Sequence, residues 1–193
     1  MERGTALKTR CEWAGSKNPL MVAYHDREWG KPVKNDRKLF EFLILEGAQA
    51  GLSWETILNR RENYRKIFKG FDPEKLARLT DKQLETILKN PGIIRNRLKV
   101  YSVRLNARVY LEIRKEFGTF SKYCWSFIRG KSIHNQWEKL SEIPATTPES
   151  DAMSKDMKKR GFKFVGSTIC YAFMQATGMV NDHTVDCFRY TVK

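Results

Sequence analysis

Apolar residues recur along this chain at intervals of three and four rather than two. Ile94, Leu98, Tyr101, Leu105 and Val109 fall on one face of a helix read from Ile93 to Phe117. The stretch from Leu39 to Ala48 is apolar on nearly every side, the pattern of a helix buried all round. Start signals recur at Asp72 before Pro73, Thr80 before Asp81, and Thr147 before Pro148 and Glu149, each placing a side-chain oxygen ahead of a helix-compatible first turn. Stops stand at Asn90-Pro91-Gly92 and at Gly161. No useful stretch alternates apolar with polar residues, and no repeat appears. The pattern predicts an all-α domain of roughly eight to ten helices. Irregular chain is expected at Cys11 to Asn35 and at Gly130 to Thr147, and both stretches could line a site.

Length adds one constraint and charge another. The 193 residues suit a single domain, read as residues 11–193 behind an N-terminal extension, residues 1–10, without fixed structure. Lys and Arg number 36 against 22 Asp and Glu, a formal charge of +14, which favours phosphate-rich partners or anionic membranes. Met1 to Arg10 lacks the apolar centre of a signal peptide, and Leu39 to Leu45 is too short to span a bilayer. The expectation is therefore an intracellular protein, with nucleic acid as the leading partner and no membrane. In that setting the four cysteines argue for buried thiols or metal ligands rather than disulfides.

Three groups of residues carry possible chemistry. Cys11 with His25, and His183 with Cys187 four positions later on one face of a helix, can make a closed Cys2His2 set. These residues equally suit buried thiols and hydrogen-bonded imidazoles, because neither a CxxC nor an HExxH spacing is present. Cys124 and Cys170 lie in apolar company and read as core, while His134 reads as surface. Glu46 stands inside the apolar helix, where an ionised carboxylate needs a cation, a helix-end contact or a hydrogen-bonding ligand. Beyond it a small-residue turn leads to Trp54, and Trp13, Tyr24 and Trp29 lie in the irregular N-terminal region. An acid among aromatic rings suits a flat cationic ring; core packing also explains aromatics. Finally, Lys158 to Gly166 concentrates positive charge on a turn between two helical stretches, either a phosphate site or a solvated helix end.

In order, these segments resemble the bacterial-type 3-methyladenine DNA glycosylase I family, of the helix-hairpin-helix superfamily, from Cys11 to about Tyr190. The resemblance rests on Cys11-Glu12-Trp13, Ala23-Tyr24-His25-Asp26, Glu28-Trp29-Gly30, Leu45-Glu46-Gly47 through Leu52-Ser53-Trp54, Gly92-Ile93-Ile94-Arg95, Lys159 through Gly166, and Val180-Asn181-Asp182-His183. It implies one structural zinc on Cys11, His25, His183 and Cys187, joining the two ends of the chain. It also implies that Glu46, Tyr24 and Trp54 receive an extruded base, with Trp13 nearby and Glu46 as the catalytic group. Lys163 and Gly166 would meet the DNA backbone, and Gln49 and Leu52, by position, would fill the vacated gap. The implied partner is alkylated double-stranded DNA, met by a monomer in the bacterial cytoplasm. Two departures narrow the expectation. Asn181, with Asp182 beside it, stands where the superfamily commonly places a catalytic Asp, and Phe164 stands where a glycine is common in the hairpin. Ser167 and Thr168 follow the hairpin where bifunctional relatives carry a lysine, so no Schiff base is expected. The rival readings are a non-catalytic zinc-stabilised DNA-binding protein and a hydrolase using the zinc.

Overall fold

A computed structural model describes residues 8–15 and 17–191. The extension read at residues 1–10 lies outside them except for Lys8 to Arg10, where the Thr9 carbonyl accepts from the Phe188 amide at 3.0 Å. Ten α-helices form the described chain: α1 (Pro19–Arg27), α2 (Asp36–Gln49), α3 (Trp54–Leu58), α4 (Arg61–Ile67), α5 (Pro73–Ala77), α6 (Asp81–Leu88), α7 (Arg97–Phe117), α8 (Phe120–Ser126), α9 (Pro148–Arg160) and α10 (Ser167–Ala176). The all-α reading holds, with one small addition. Two-residue strands β1 (Ile133–His134) and β2 (Val180–Asn181) pair in parallel, fastening the irregular 130s to the C-terminal segment. His134, read as surface, is half-buried in that pair.

The start signals do what their chemistry dictates. Asp72, Thr80 and Thr147 each accept from amides in the first turns of α5, α6 and α9, and Gly161 ends α9 in the left-handed conformation. Other boundaries differ from expectation. The long helix begins at Arg97 rather than Ile93, because extended Asn96 caps it by accepting from the Lys99 amide. The Cys11 to Asn35 region holds α1, which Asn18 caps and Pro19 opens.

Helix α2 is the axis of the molecule. Every residue from Leu39 to Ala48 is buried, the two glutamates included. Helix α10 packs along it, α9 packs on α10, and α7 lies against α2 with α5 on its flank. Gly47 permits a close approach: a Cβ there would stand 3.1 Å from Phe164 Cβ in the turn between α9 and α10. The hairpin is thereby seated on α2 one residue from Glu46.

Candidate base pocket and metal centre

A cavity of about 400 Å³ opens beside Glu46. Trp13, Tyr24, Trp29 and Trp54 give it an aromatic lining, Met21 lies among its lining residues, and Gln49 lines it from the end of α2. Tyr24 and Trp54 rings stand 5.1 Å apart, and Trp13 meets Trp29 edge-on at 5.0 Å. The rest of the lining comes from the chain between Leu140 and Ala145 and from Thr168, Tyr171, Ala172 and Gln175 on α10. An adjoining cavity of about 290 Å³ shares Glu46, Gln49, Thr168 and Ala172 and runs to Leu52, whose side chain is exposed. None of the side chains lining either space is a lysine.

Glu46 is 4% exposed and makes no hydrogen bond or ion pair with any described residue. Neither an ion pair nor a helix-end contact therefore explains its place. The buried cation that influences it, Arg61, is committed elsewhere: two of its nitrogens bond Glu28 at 2.9 Å each and its Nε bonds Glu41 at 2.7 Å. Burial pushes the Glu46 carboxyl up to about 8, with only a partial opposing pull from Arg61. The Trp54 indole N–H is also buried without a partner among the described residues.

The hairpin lies at Gly161 to Gly166. Asn106, buried on α7, accepts from the Lys163 amide at 2.8 Å and donates to its carbonyl at 3.0 Å. The Lys163 side chain remains exposed. Phe164 adopts φ +56, the left-handed conformation that favours glycine, so the departure noted in the sequence is a real conformational demand met by a residue that packs on Gly47. Gly166 opens α10 without a side-chain cap, leaving its first amides free for an anion. Lys163 and Gly166 are thus in the hairpin and outside both cavities, whereas Thr168 joins hairpin to pocket.

The four expected ligands do converge. Cys11, His25, His183 and Cys187 are buried, and their ligand atoms lie within 4.8 Å of one another. His183 and Cys187 are not on a helix: they meet through a turn closed by the Cys187 amide donating to the Thr184 carbonyl at 2.9 Å. His183 Nδ1 is 3.4 Å from Cys11 Sγ and 3.5 Å from Cys187 Sγ, and His25 Nε2 is 3.4 Å from Cys187 Sγ. A tetrahedral zinc with ordinary Zn–S and Zn–N bonds has S···N edges of about 3.5 Å, which these three separations match, and two thiols with two imidazoles are a donor set that suits it. His25 Nδ1 bonds Asp26 at 2.8 Å, and His183 Nε2 bonds the Trp29 carbonyl at 3.2 Å. A carboxylate and a carbonyl only accept, so each ring holds its proton on the outer nitrogen and turns a lone pair inward. Gly30, at φ +72, leaves room for His183, since a Cβ there would lie 3.0 Å from Nε2. Burial is the largest cause that pushes the Cys11 thiol up to about 11, against hydrogen bonds to Thr184, and the His183 imidazole down to about 4, with His25 acting in the same direction, so thiolates here require a cation.

The sequence reading missed Tyr171 and Gln175, whereas the Leu140 to Ala145 wall falls inside the irregular Gly130 to Thr147 region that it expected could line a site. A polar stripe at Thr168, Tyr171 and Gln175 on an otherwise apolar helix was the available signal for the two missed residues. The wall segment has no periodic pattern, so the sequence marked the region without singling out its residues.

A hairpin between α9 and α10, its free amides leading toward an acid-and-aromatic cavity, places the chain among helix-hairpin-helix proteins. Methyladenine glycosylase is the family whose sequence model matches, over residues 13–190. DNA-3-methyladenine glycosylase 1 of Escherichia coli K12 is 51% identical over 181 residues, 94% of this chain and 96% of that protein. A crystal structure of a 3-methyladenine DNA glycosylase I superposes with a TM-score of 0.92 at 50% identity, covering 95% of this chain and all of the other. The Staphylococcus aureus enzyme, studied for 3-methyladenine recognition, gives 0.90 at 36% identity over 94% of this chain and 96% of its own. The chain belongs to the methyladenine glycosylase family.

Proposed function

We propose that this protein is a monofunctional glycosylase that removes 3-methyladenine from alkylated double-stranded DNA by hydrolysis. The observation that carries the reading is the buried, unpartnered Glu46 carboxyl on the wall of an aromatic cavity. A carboxylate kept from its own cations has its highest affinity for a ligand that brings positive charge with it, and N3-methylation makes adenine such a ring. Tyr24 and Trp54, with Trp13 beside them, give it stacking surfaces.

A base inside a duplex is out of reach, so the enzyme grips the backbone and turns the nucleotide outward. Gly166 and the free amides of α10 meet the phosphates, and Lys163 adds charge there. Leu52, exposed on the turn after α2, and Gln49 fill the gap left in the stack. The positively charged base is already a good leaving group, so Glu46 acts by selecting it and stabilising charge at the site while water attacks the sugar carbon. With no lysine at the cavity, the product is an abasic site and an intact strand.

Cys11, His25, His183 and Cys187 hold one zinc. Four protein ligands leave no open coordination position, so the ion supplies folding energy and no Lewis-acid chemistry. Incubation with methylated duplex DNA tests the whole reading: free 3-methyladenine and abasic sites without strand breaks are expected. Binding of the DNA with no release of base would leave a non-catalytic binding protein instead.

A further inference from the structure

Asp182 is completely buried, and no cationic side chain among the described residues forms an ion pair with it. Four neutral donors surround it instead. Its Oδ1 accepts from Asn135 Nδ2 at 2.7 Å and Trp137 Nε1 at 2.8 Å; its Oδ2 accepts from the Tyr171 hydroxyl at 2.6 Å and Gln175 Nε2 at 2.7 Å. A carboxylate only accepts, and four donors fill its lone-pair positions. The direction of every one of these bonds is therefore dictated by chemistry.

Two of the donors belong to the cavity wall. Tyr171 and Gln175 stand one turn apart on α10 and face the same space as Glu46. With its NH2 group committed to Asp182, the Gln175 amide is fixed in one of its two orientations. Its Oε1 takes no hydrogen bond from any described residue and remains an acceptor. The Tyr171 proton is likewise committed, leaving that oxygen free to accept. A carboxylate outside the cavity has thus set the polarity of the wall.

We propose that Asp182 is a positioning residue that holds Gln175 Oε1 as an acceptor, and that this acceptor selects a purine with an amino group at C6 over one with a carbonyl there. The inference rests on the reading that the cavity takes an extruded 3-methylpurine. The 6-amino group of 3-methyladenine supplies a donor for Oε1; 3-methylguanine opposes its O6 to the same atom and leaves two acceptors facing. Discrimination by one such mismatch is worth about tenfold or more.

The test compares wild type, Gln175→Leu and Asp182→Asn in releasing both 3-methylpurines from one methylated duplex under single-turnover conditions. Affinity for each free base, followed by quenching of tryptophan fluorescence, is the second readout. Gln175→Leu should lose about tenfold for 3-methyladenine and little for 3-methylguanine. Asp182→Asn lets the amide turn around and present its NH2 group, so the preference should move in the same direction. Damage to the fold or to the adjacent metal ligand lowers both bases together and leaves their ratio unchanged, so the ratio is decisive. An unchanged ratio of free-base affinities in Gln175→Leu overturns the proposal. A wild type that releases neither base fails differently, by removing the proposed function itself.

Discussion

In the proposed reading, Glu46 is a single residue that trades stability for recognition. Its carboxyl is raised by burial from the ordinary 4.5 to about 8. Between those two values the folded protein holds a proton that the unfolded chain has released, so stability falls as pH rises through that window. Glu46→Gln removes the penalty and should raise the melting temperature at pH 8 by several degrees while changing it little at pH 4.5, measured by calorimetry at both. The same substitution should slow excision of 3-methyladenine by about a hundredfold or more, in the range lost when a stabilising charge is taken from an active site, with binding to undamaged DNA nearly intact. In the wild type, protons compete with the cationic base for the carboxylate. Excision at low substrate should therefore rise with pH up to about 8 and then level off, whereas the Gln variant should lack the rise. A flat wild-type profile would take Glu46 out of base selection. The oddity of this residue was legible in the sequence, as an acid in an apolar helix. What could not be read was that Arg61, the neighbouring buried cation, is fully occupied by Glu28 and Glu41, because that pairing joins three helices or their ends.

At the scale of elements, local chemistry was readable and long-range contact was not. Caps at Asp72, Thr80 and Thr147 act within one turn, so the residues that make them are neighbours in the sequence. The hairpin itself was visible in its charge and glycines, but its fastening was not: Asn106, 57 positions away, holds both backbone groups of Lys163. The turn after α2 is held in the same way, with Lys99 Nζ donating to the carbonyls of Ala48 at 2.8 Å and Ala50 at 2.6 Å. Hairpin and turn are therefore both anchored to α7, a helix that lines neither of the cavities around Glu46. Asn106→Leu strands one donor and one acceptor of the hairpin, which should cost about 1–3 kcal/mol in denaturant unfolding. It should also weaken DNA binding several-fold while leaving the affinity for free 3-methyladenine unchanged. Equal loss of both would mean that the hairpin and the pocket are not separable functions.

Across the whole molecule, the Cys2His2 cluster links what the sequence keeps apart. Cys11 and His183 are 172 positions distant, yet their ligand atoms are 3.4 Å apart. The ligand types were recognisable, whereas their geometry depended on a non-helical turn and on Trp29 and Asp26, which orient the two imidazoles. The centre also abuts the pocket. Trp13 follows Cys11 by two residues, Tyr24 immediately precedes His25, and both rings line the cavity. The proposed closed zinc would therefore affect base binding without taking part in chemistry, by holding two walls in place. Cys187→Ser should lower zinc content and reduce stability by several kcal/mol, on the order of ten degrees in melting temperature for a chain of this length. Its excision rate at saturating DNA, corrected for the folded fraction, should stay close to wild type, and affinity for the free base should fall. Raising salt should weaken DNA binding of wild type and variant alike, since phosphate contacts release counterions in both. Metal stoichiometry, unfolding and single-turnover excision on one preparation separate these effects. If chelation stops catalysis while near-ultraviolet dichroism and base affinity remain intact, the zinc belongs to the chemistry; if all three decline together and return with added zinc, it belongs to the fold.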